Sequence, residues 1–484
     1  MVRGHGVPLP AHAPRNGGRS RHTAARPRSR PSGVARTDRR PRSARLRHPP
    51  DVPRQADTPR RPHRGRPGPG RANDGGRDRV TRRHPRVLLV HYTAPSILGG
   101  VEHVMRAHAE ALRDAGAEVT IVAGRGRAPR GVRLARVAEA DSRSAAVLRD
   151  FRALARGERT KAHDALVERL VRRLRPLVRR ADRVVAHNVL TMHKNLALTE
   201  ALLWLASERP GLVIGWTHDL AWCDPQYAAE RHGGEPWDLI ARAHPTVRYV
   251  AVSEERARQL ASLTGLARDR IAVVPNGVDV SKALGLSAAG TRLAERLDLY
   301  RADPLLVLPA RLTRRKRIEA AIAAAVALRG RGRNATLVVT GPPGPHNASN
   351  ERYLAELTAL ATGQPGVELL YAQGIHPPYR VIADLYALAD VLVLPSASEG
   401  FGIPLLEAAL HRLPIVCTDL ETLRALGGDA PTYVPVGADG ETIADAIDRA
   451  LSDPRMRFRS RARALAWPRV LAEQVVPLVL EGVR

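Results

Sequence analysis

The chain has 484 residues, room for two or three domains, and a formal charge of +29 from 77 Lys and Arg against 48 Asp and Glu. That charge is lopsided: residues 1–85 hold 23 Arg and five Asp, a balance of +18, which leaves +11 for the other 399 residues. A chain-wide basic surface for nucleic acid is therefore disfavoured, and with only Lys161, Lys194, Lys282 and Lys316 as lysines, Arg is the default cation, as in a GC-rich bacterial genome.

Two cysteines, Cys223 and Cys417, are too few for a disulfide framework and lack metal-ligand spacing, so a reducing cytoplasm is expected. No apolar run approaches the ~18 residues of a membrane span, and the N-terminus has no apolar signal region. Residues 1–85 are Arg, Pro, Gly, Ser and His with hardly a large apolar residue, which predicts a disordered extension. Three readings of it stay open: a plain extension or leader from an upstream start, a basic arm for anionic lipid or nucleic acid, and a transit peptide, which its Pro and Gly content disfavours.

From Arg86 the character changes. Val87–Val90 predicts a buried strand, Gly99-Gly100 opens a helix over Val101–Leu112, and Glu118–Ala123 is the next strand. Gly124-Arg125-Gly126 lacks the spacing of a dinucleotide fingerprint. Residues 144–180 have helical period. Strands follow at 183–187, 212–216 and 248–252, ending in His187-Asn188, Thr217-His218-Asp219 and Ser253-Glu254. In an open parallel sheet such strand ends converge on one crevice. Val273–Asp279 is turn-rich and reads as a hinge.

The second half repeats the alternation, with strands at 304–311, 336–341, 367–371, 391–394 and 414–418. Helices are predicted at 318–328, 350–362, 378–389, 405–411 and 440–452, and an apolar one at 470–480. Strand–helix alternation throughout predicts two doubly wound α/β halves. Within them, Asp390–Ala408 is the most informative stretch: a strand, a turn with Gly400 and Gly402, then a helix opened by Pro404. Free N–H groups at such a junction suit phosphate, and Glu399 and Glu407, the latter expected in the helix's first turn, suit vicinal hydroxyls. Phosphate plus hydroxyls points to a sugar nucleotide.

Five motifs in order resemble the retaining GT-B glycosyltransferases of the family 4 type, the glycogen-synthase-like and mannosyltransferase-like group. They are Gly99-Gly100, Thr217-His218-Asp219, Pro275–Asp279, Arg311 with Lys316, and Glu399 with Glu407 across a seven-residue gap. The resemblance covers residues 86–484. It implies two Rossmann-like domains facing a cleft: an acceptor domain at 86–280, completed by a helix at 469–484, and a nucleotide-sugar domain at 281–468. It implies that Arg311 and Lys316 hold the donor diphosphate; Arg314, Arg315 and Arg317 read as the solvated part of a basic turn. Glu399 would face the hexose hydroxyls, with Gly400, Phe401, Gly402 and Ile403 around it, and Glu407 the ribose. His218 would lie near the donor sugar, Gly99 and Gly100 near its phosphate, and the base near Tyr371–Ile375. Asn188, His193, Lys194 and Asp219 are the acceptor-side candidates.

The implied activity is transfer of a hexose, mannose or glucose, from a UDP- or GDP-linked donor to a hydroxyl on a sugar, lipid-linked or small-molecule acceptor. No D-x-D triplet occurs, so metal-independent chemistry without a resident cofactor is expected, in the cytoplasm, with peripheral contact at the inner membrane face left open. The loop 341–350 departs from the group's short glycine turn. Two alternatives stay open: a nucleotide-sugar epimerase or hydrolase of the same fold, and a polyanion-binding protein acting through the Arg-rich tail.

Overall fold

The computed structural model describes residues 83–344 and 349–483, so the extension over 1–82 and the centre of the loop 341–350 lie outside the described residues. Strands β1 (Arg86–Val90), β2 (Glu118–Ala123), β3 (Arg133–Arg136), β4 (Arg183–His187), β5 (Val213–Thr217), β6 (Val247–Ala251) and β7 (Ile271–Val273) form one sheet. Its order is β3-β2-β1-β4-β5-β6-β7. Strands β8 (Leu305–Leu308), β9 (Thr336–Val339), β10 (Val367–Leu369), β11 (Val391–Leu394), β12 (Ile415–Thr418) and β13 (Thr432–Val434) form a second sheet. Its order is β10-β9-β8-β11-β12-β13. Every pairing is parallel, with Val87, for example, opposite both Val119 and Arg183.

The physical cause is visible in the strand sequences. VLLV in β1, LLVL in β8 and VLVL in β11 are buried on both faces, which suits a parallel sheet covered by helices on each side. In each sheet the strand order reverses at one place, between β1 and β4 and between β8 and β11. Loops leaving the C-terminal ends of those strands diverge there and open a crevice, which is where open α/β sheets bind ligands. The segments 91–99, 188–195, 309–317 and 395–402 occupy those positions.

The C-terminal segment returns to the first sheet. Val278 N–H donates to Leu465 O at 2.8 Å and Trp467 N–H to Val278 O at 3.0 Å, so the link between the sheets is clamped to residues 465–467. A Cβ on Gly277 would fall 2.4 Å from the Trp467 ring. Val470, Val475, Val479 and Leu480 then enter the same core as Val87, Leu89, Met105 and Ile214. The single apolar helix expected at 470–480 is broken by a π turn over Leu471–Val475. Pro477 lacks an N–H, so the regular ladder cannot run through it and the turn widens ahead of it.

Three edge strands, β3, β7 and β13, were not expected; β3 is RLAR and largely unburied, without an apolar run. Helix Pro454–Ala464, of sequence PRMRFRSRARA, also lacks an apolar stripe. It is started by Asp453, whose carboxylate accepts from Arg455 N–H at 2.8 Å, and anchored by one buried residue, Arg463. Arg463 forks onto Asp390 at 2.7 and 2.6 Å, and Asp390 also accepts from Leu305 N–H at 2.7 Å. That buried pair ties the helix to the entry ends of β8 and β11, away from the crevice. Among the described residues no helix is long and apolar enough to cross a membrane.

Candidate active site at the two strand crossovers

In the second half, the loops after β8 and β11 are stitched together. Gly341 lets the β9 loop approach, since a Cβ there would lie 2.0 Å from Ala310 O, and Leu312 N–H donates to Pro342 O at 2.9 Å. The chain then makes a tight turn over Arg314–Lys316, and Ala397 N–H donates to Arg315 O at 2.7 Å. Lys316 is buried and its Nζ donates to Glu399 Oε1, an oxygen that also accepts from Ser396 Oγ at 2.7 Å. Arg315 Nη1 donates to Ser398 O at 3.0 Å and stands 3.5 Å from Glu399 Oε2.

Two sequence expectations are corrected here. Arg315, half-exposed, is not only a solvated residue but a second cation beside Glu399. Arg314 pairs with Glu356 at 2.6 Å and Arg317 donates to Ala438 O at 3.0 Å, so they are surface ties. Glu399 has only 6% of its side chain exposed, because its carboxylate turns inward to Lys316 rather than standing open. Arg311, by contrast, is exposed, and its guanidinium has no hydrogen-bond or ion-pair partner among the described residues. A cation without a side-chain partner among the described residues and a buried, paired one thus flank the same turn.

Gly402 carries φ of +98°, and a Cβ there would lie 2.6 Å from Leu423, so only glycine fits the turn. Gly400 has no such requirement. Phe401 and Ile403 are exposed. Helix Ile403–Leu410 follows, and Glu407 is its fifth residue, in the second turn rather than the first, so dipole complementation is not its role. Its two oxygens are each held by a phenol: Tyr379 OH donates to Oε1 at 2.7 Å and Tyr386 OH to Oε2 at 2.8 Å. Burial and this contact push the Tyr386 phenol well up, keeping it a donor. Tyr371 stands edge-on to His376 at 5.0 Å beside the turn at Gly374.

The first half is built differently. Asn188 follows β4 in the left-handed region at φ +59°, and its Oδ1 accepts from the N–H groups of His218 and Asp219 at 2.7 and 3.0 Å. Its Nδ2 donates to Asp219 Oδ2 at 3.0 Å. Asn188 is therefore spent on shaping the Thr217-His218-Asp219 loop and is not free for an acceptor. His193 is likewise enclosed: its Nε2 lies 2.6 Å from Glu230 Oε2, and its ring stacks on Trp222 and Trp237. Lys194 Nζ reaches Glu230 at 3.3 Å and the Tyr227 ring face at 4.2 Å. Asp219 remains half-exposed, 3.8 Å from Arg256.

His218 is buried at the end of β5, and burial pushes its pKa down to about 3. A neutral ring results, with Nε2 3.2 Å from His187 Nδ1. Burial also lowers His187 well below the ordinary imidazole range and takes His108 behind it to about 3. Beside them, His91 Nδ1 donates to His187 O at 2.8 Å, and His91 Nε2 lies 3.7 Å from Glu102 Oε1. Burial alone would raise the Glu102 carboxyl, but its contacts with His91 and Thr93 outweigh that and hold it at about 2. Gly99 makes room for this acid, since a Cβ on it would lie 2.0 Å from Glu102 Oε2. Gly100 borders open space.

Sequence reasoning missed His91, Glu102, Ser396, Arg315, Tyr379 and Tyr386. The nearest signal was Glu102 in the first turn after Gly99-Gly100, a position where an acid also serves the helix dipole. Among the described residues no group of three or more His, Cys, Asp or Glu is arranged to hold a metal ion.

Two family models match the chain: Glycosyltransferase Family 4 over residues 98–282 and Glycosyl transferases group 1 over residues 291–465. The D-inositol 3-phosphate glycosyltransferase of Nocardia farcinica is 31% identical over 288 residues, covering 57% of this chain and 61% of that protein. The protein of the same name from Xylanimonas cellulosilytica is 32% identical over 290 residues, covering 57% and 67%. This chain thus spans just under two thirds of the Nocardia relative's length. Among solved structures, WaaG, a glycosyltransferase involved in lipopolysaccharide biosynthesis, superposes with a TM-score of 0.32 at 17% identity, over 82% of this chain and all of that one.

Proposed function

The chain belongs to the GT-B glycosyltransferases of the family 4 type, and on that premise we propose that it transfers a hexose, glucose or mannose, from a UDP- or GDP-linked donor to a hydroxyl acceptor. The observation that carries the reading is the buried Lys316–Glu399 pair across one strand crossover, with Arg311, which has no side-chain partner among the described residues, on the turn before Lys316 and Glu407 on the helix after Glu399. Cations for a diphosphate and a carboxylate, Glu407, with acceptor positions left for vicinal hydroxyls are what a sugar nucleotide requires.

In this reading the acceptor oxygen bonds to the anomeric carbon on the face from which the diphosphate departs, giving retention. The carbon–oxygen bond to the diphosphate breaks, and the acceptor's proton passes to that departing oxygen. Arg311, Lys316 and the N–H groups opening helix Ile403–Leu410 bear the charge that develops, without a divalent ion. His218, neutral because it is buried, offers the hexose a hydrogen bond and not a charge. The acceptor would enter beside Asp219 and Lys194, the members of the expected set with open side chains. The relatives' name makes inositol 3-phosphate the first small acceptor to try. A cytoplasmic location, with contact at a membrane face, is part of the proposal.

The test is turnover of UDP- and GDP-linked glucose and mannose with inositol 3-phosphate and simple polyols, followed by NMR of the product's anomeric configuration. An α-linked product from these α-linked donors is expected. Release of free hexose or an epimerised nucleotide sugar without a new glycoside would overturn it in favour of a hydrolase or epimerase.

A further inference from the structure

The geometry points to Tyr379 as the residue through which the donor site distinguishes a ribose from a deoxyribose; this rests on the reading of Glu407 as the ribose-binding acid. A carboxylate has about four acceptor positions, two on each oxygen. The two tyrosines fill one on Oε1 and one on Oε2, at 2.7 and 2.8 Å. One position remains on each oxygen, the pattern that a vicinal diol takes and that a sugar with a single ring hydroxyl cannot use in full.

The tyrosines are not equivalent. Tyr386 is 2% exposed and lies flat against His411, with rings 5.7 Å apart and 7° from parallel. It is packed in the core of the second half and cannot leave. Tyr379 is 68% exposed, opens helix Tyr379–Leu388, and makes no ring contact among the described residues. Packing therefore accounts for Tyr386, whereas Tyr379 is held by its hydroxyl on Glu407. Its position costs an exposed aromatic ring, and what it supplies is the second fixed contact on the carboxylate. With Tyr386 alone, the carboxyl group can swing about one hydrogen bond. With both, its plane is set, and the two remaining lone-pair directions point together. Tyr379 is thus a positioning residue for ribose recognition, and Tyr386 is the anchor beneath it.

The experiment measures dissociation constants of UDP and GDP, and of their 2′-deoxy counterparts, by calorimetry on the full chain, its Tyr379→Phe variant and its Glu407→Ala variant. The phenylalanine ring fills the same exposed place, and an unchanged melting midpoint shows that the fold is intact. Loss of one hydrogen bond to a charged group is expected to weaken ribonucleotide binding about tenfold in Tyr379→Phe. The 2′-deoxy affinity should stay as in the wild type, so the preference for ribose falls toward the value in Glu407→Ala. The proposal is overturned if Tyr379→Phe keeps the wild-type preference, or if it weakens both nucleotides equally, as a stacking or structural role would. A Glu407→Ala variant that keeps the preference would instead remove the ribose reading of Glu407 itself, and with it this inference.

Discussion

The two halves of the crevice solve the same topological problem with opposite chemistry. Around β8 and β11 the strand-end groups are charged and paired, as in Lys316 on Glu399 and Arg315 beside it. Around β4 and β5, and behind them, three histidines are kept neutral by burial, His187, His218 and His108, beside the half-exposed Asp219 and the Lys194–Glu230 pair. On the proposed reading, a leaving diphosphate is met by fixed cations in the second half, while the first half supplies donors and acceptors that bring little competing charge. One crossover pairs cations with a buried carboxylate; the other sets neutral histidines beside acids, among them Glu102 held at about 2.

This contrast can be broken most forcefully at Lys316. Replacing it by Ala removes a buried cation and leaves Glu399 half-paired, and kcat/KM is expected to fall by about 10²–10³, or roughly 3–4 kcal/mol. Steady-state kinetics with the cognate donor measures this. The corresponding break in the first half is structural. Asn188→Ala strands two loop N–H groups and forces a side chain into the left-handed region, for an expected loss of about 2–4 kcal/mol. Asn188→Gly loses the same hydrogen bonds without the strain, so denaturant titration should rank it between Ala and wild type. Affinity for the nucleotide alone, which rests on the second half, should survive both.

A pH series sharpens the comparison further. His108 and His218 titrate near 3 when folded and near 6.5 when unfolded, so between those values the unfolded chain binds more protons. Their contribution to stability is then complete above about pH 6.5 and declines as pH falls toward 3, by up to about 1.4 kcal/mol per unit for each histidine. Melting midpoints from pH 7 to pH 4 should decline accordingly, and His218→Gln should flatten the slope. The smallest effect belongs to Arg314→Ala. Its ion pair with Glu356 is exposed, so stability should change by less than about 1 kcal/mol and turnover not at all, unlike a change at its neighbour Arg315.

How much of this was legible in the sequence follows from distance along the chain. Gly402, Glu399 and Glu407 sit within nine residues, and the buried strand before them announces itself, so the turn could be read with its chemistry. Lys316 and Arg311 stood out as cations after a strand. The partners of these groups did not. Tyr386 lies 21 residues before Glu407 and Tyr379 lies 28, and neither spacing carries a signal. His91 meets the carbonyl of His187 across 96 residues, because β1 and β4 are neighbours only in the folded sheet. Asn188 reads as an acceptor-side candidate, since its left-handed backbone, which turns its amide back onto residues 218 and 219, is invisible before folding. Helix Pro454–Ala464 escaped because a cap and one buried Arg463–Asp390 pair replace the apolar stripe that identifies a helix.

The central claim, that the second half is a clamp for a sugar nucleotide, is tested most directly by thermal shift of the full chain with UDP-, GDP- and ADP-linked hexoses, repeated on Glu407→Ala. A ligand at 100 times its Kd stabilises the fold by about 2.7 kcal/mol, enough for a clear rise in the melting midpoint. The account predicts such a rise with a UDP- or GDP-sugar and its loss in Glu407→Ala. No shift with any of these donors, or a shift that persists in full without Glu407, would contradict it.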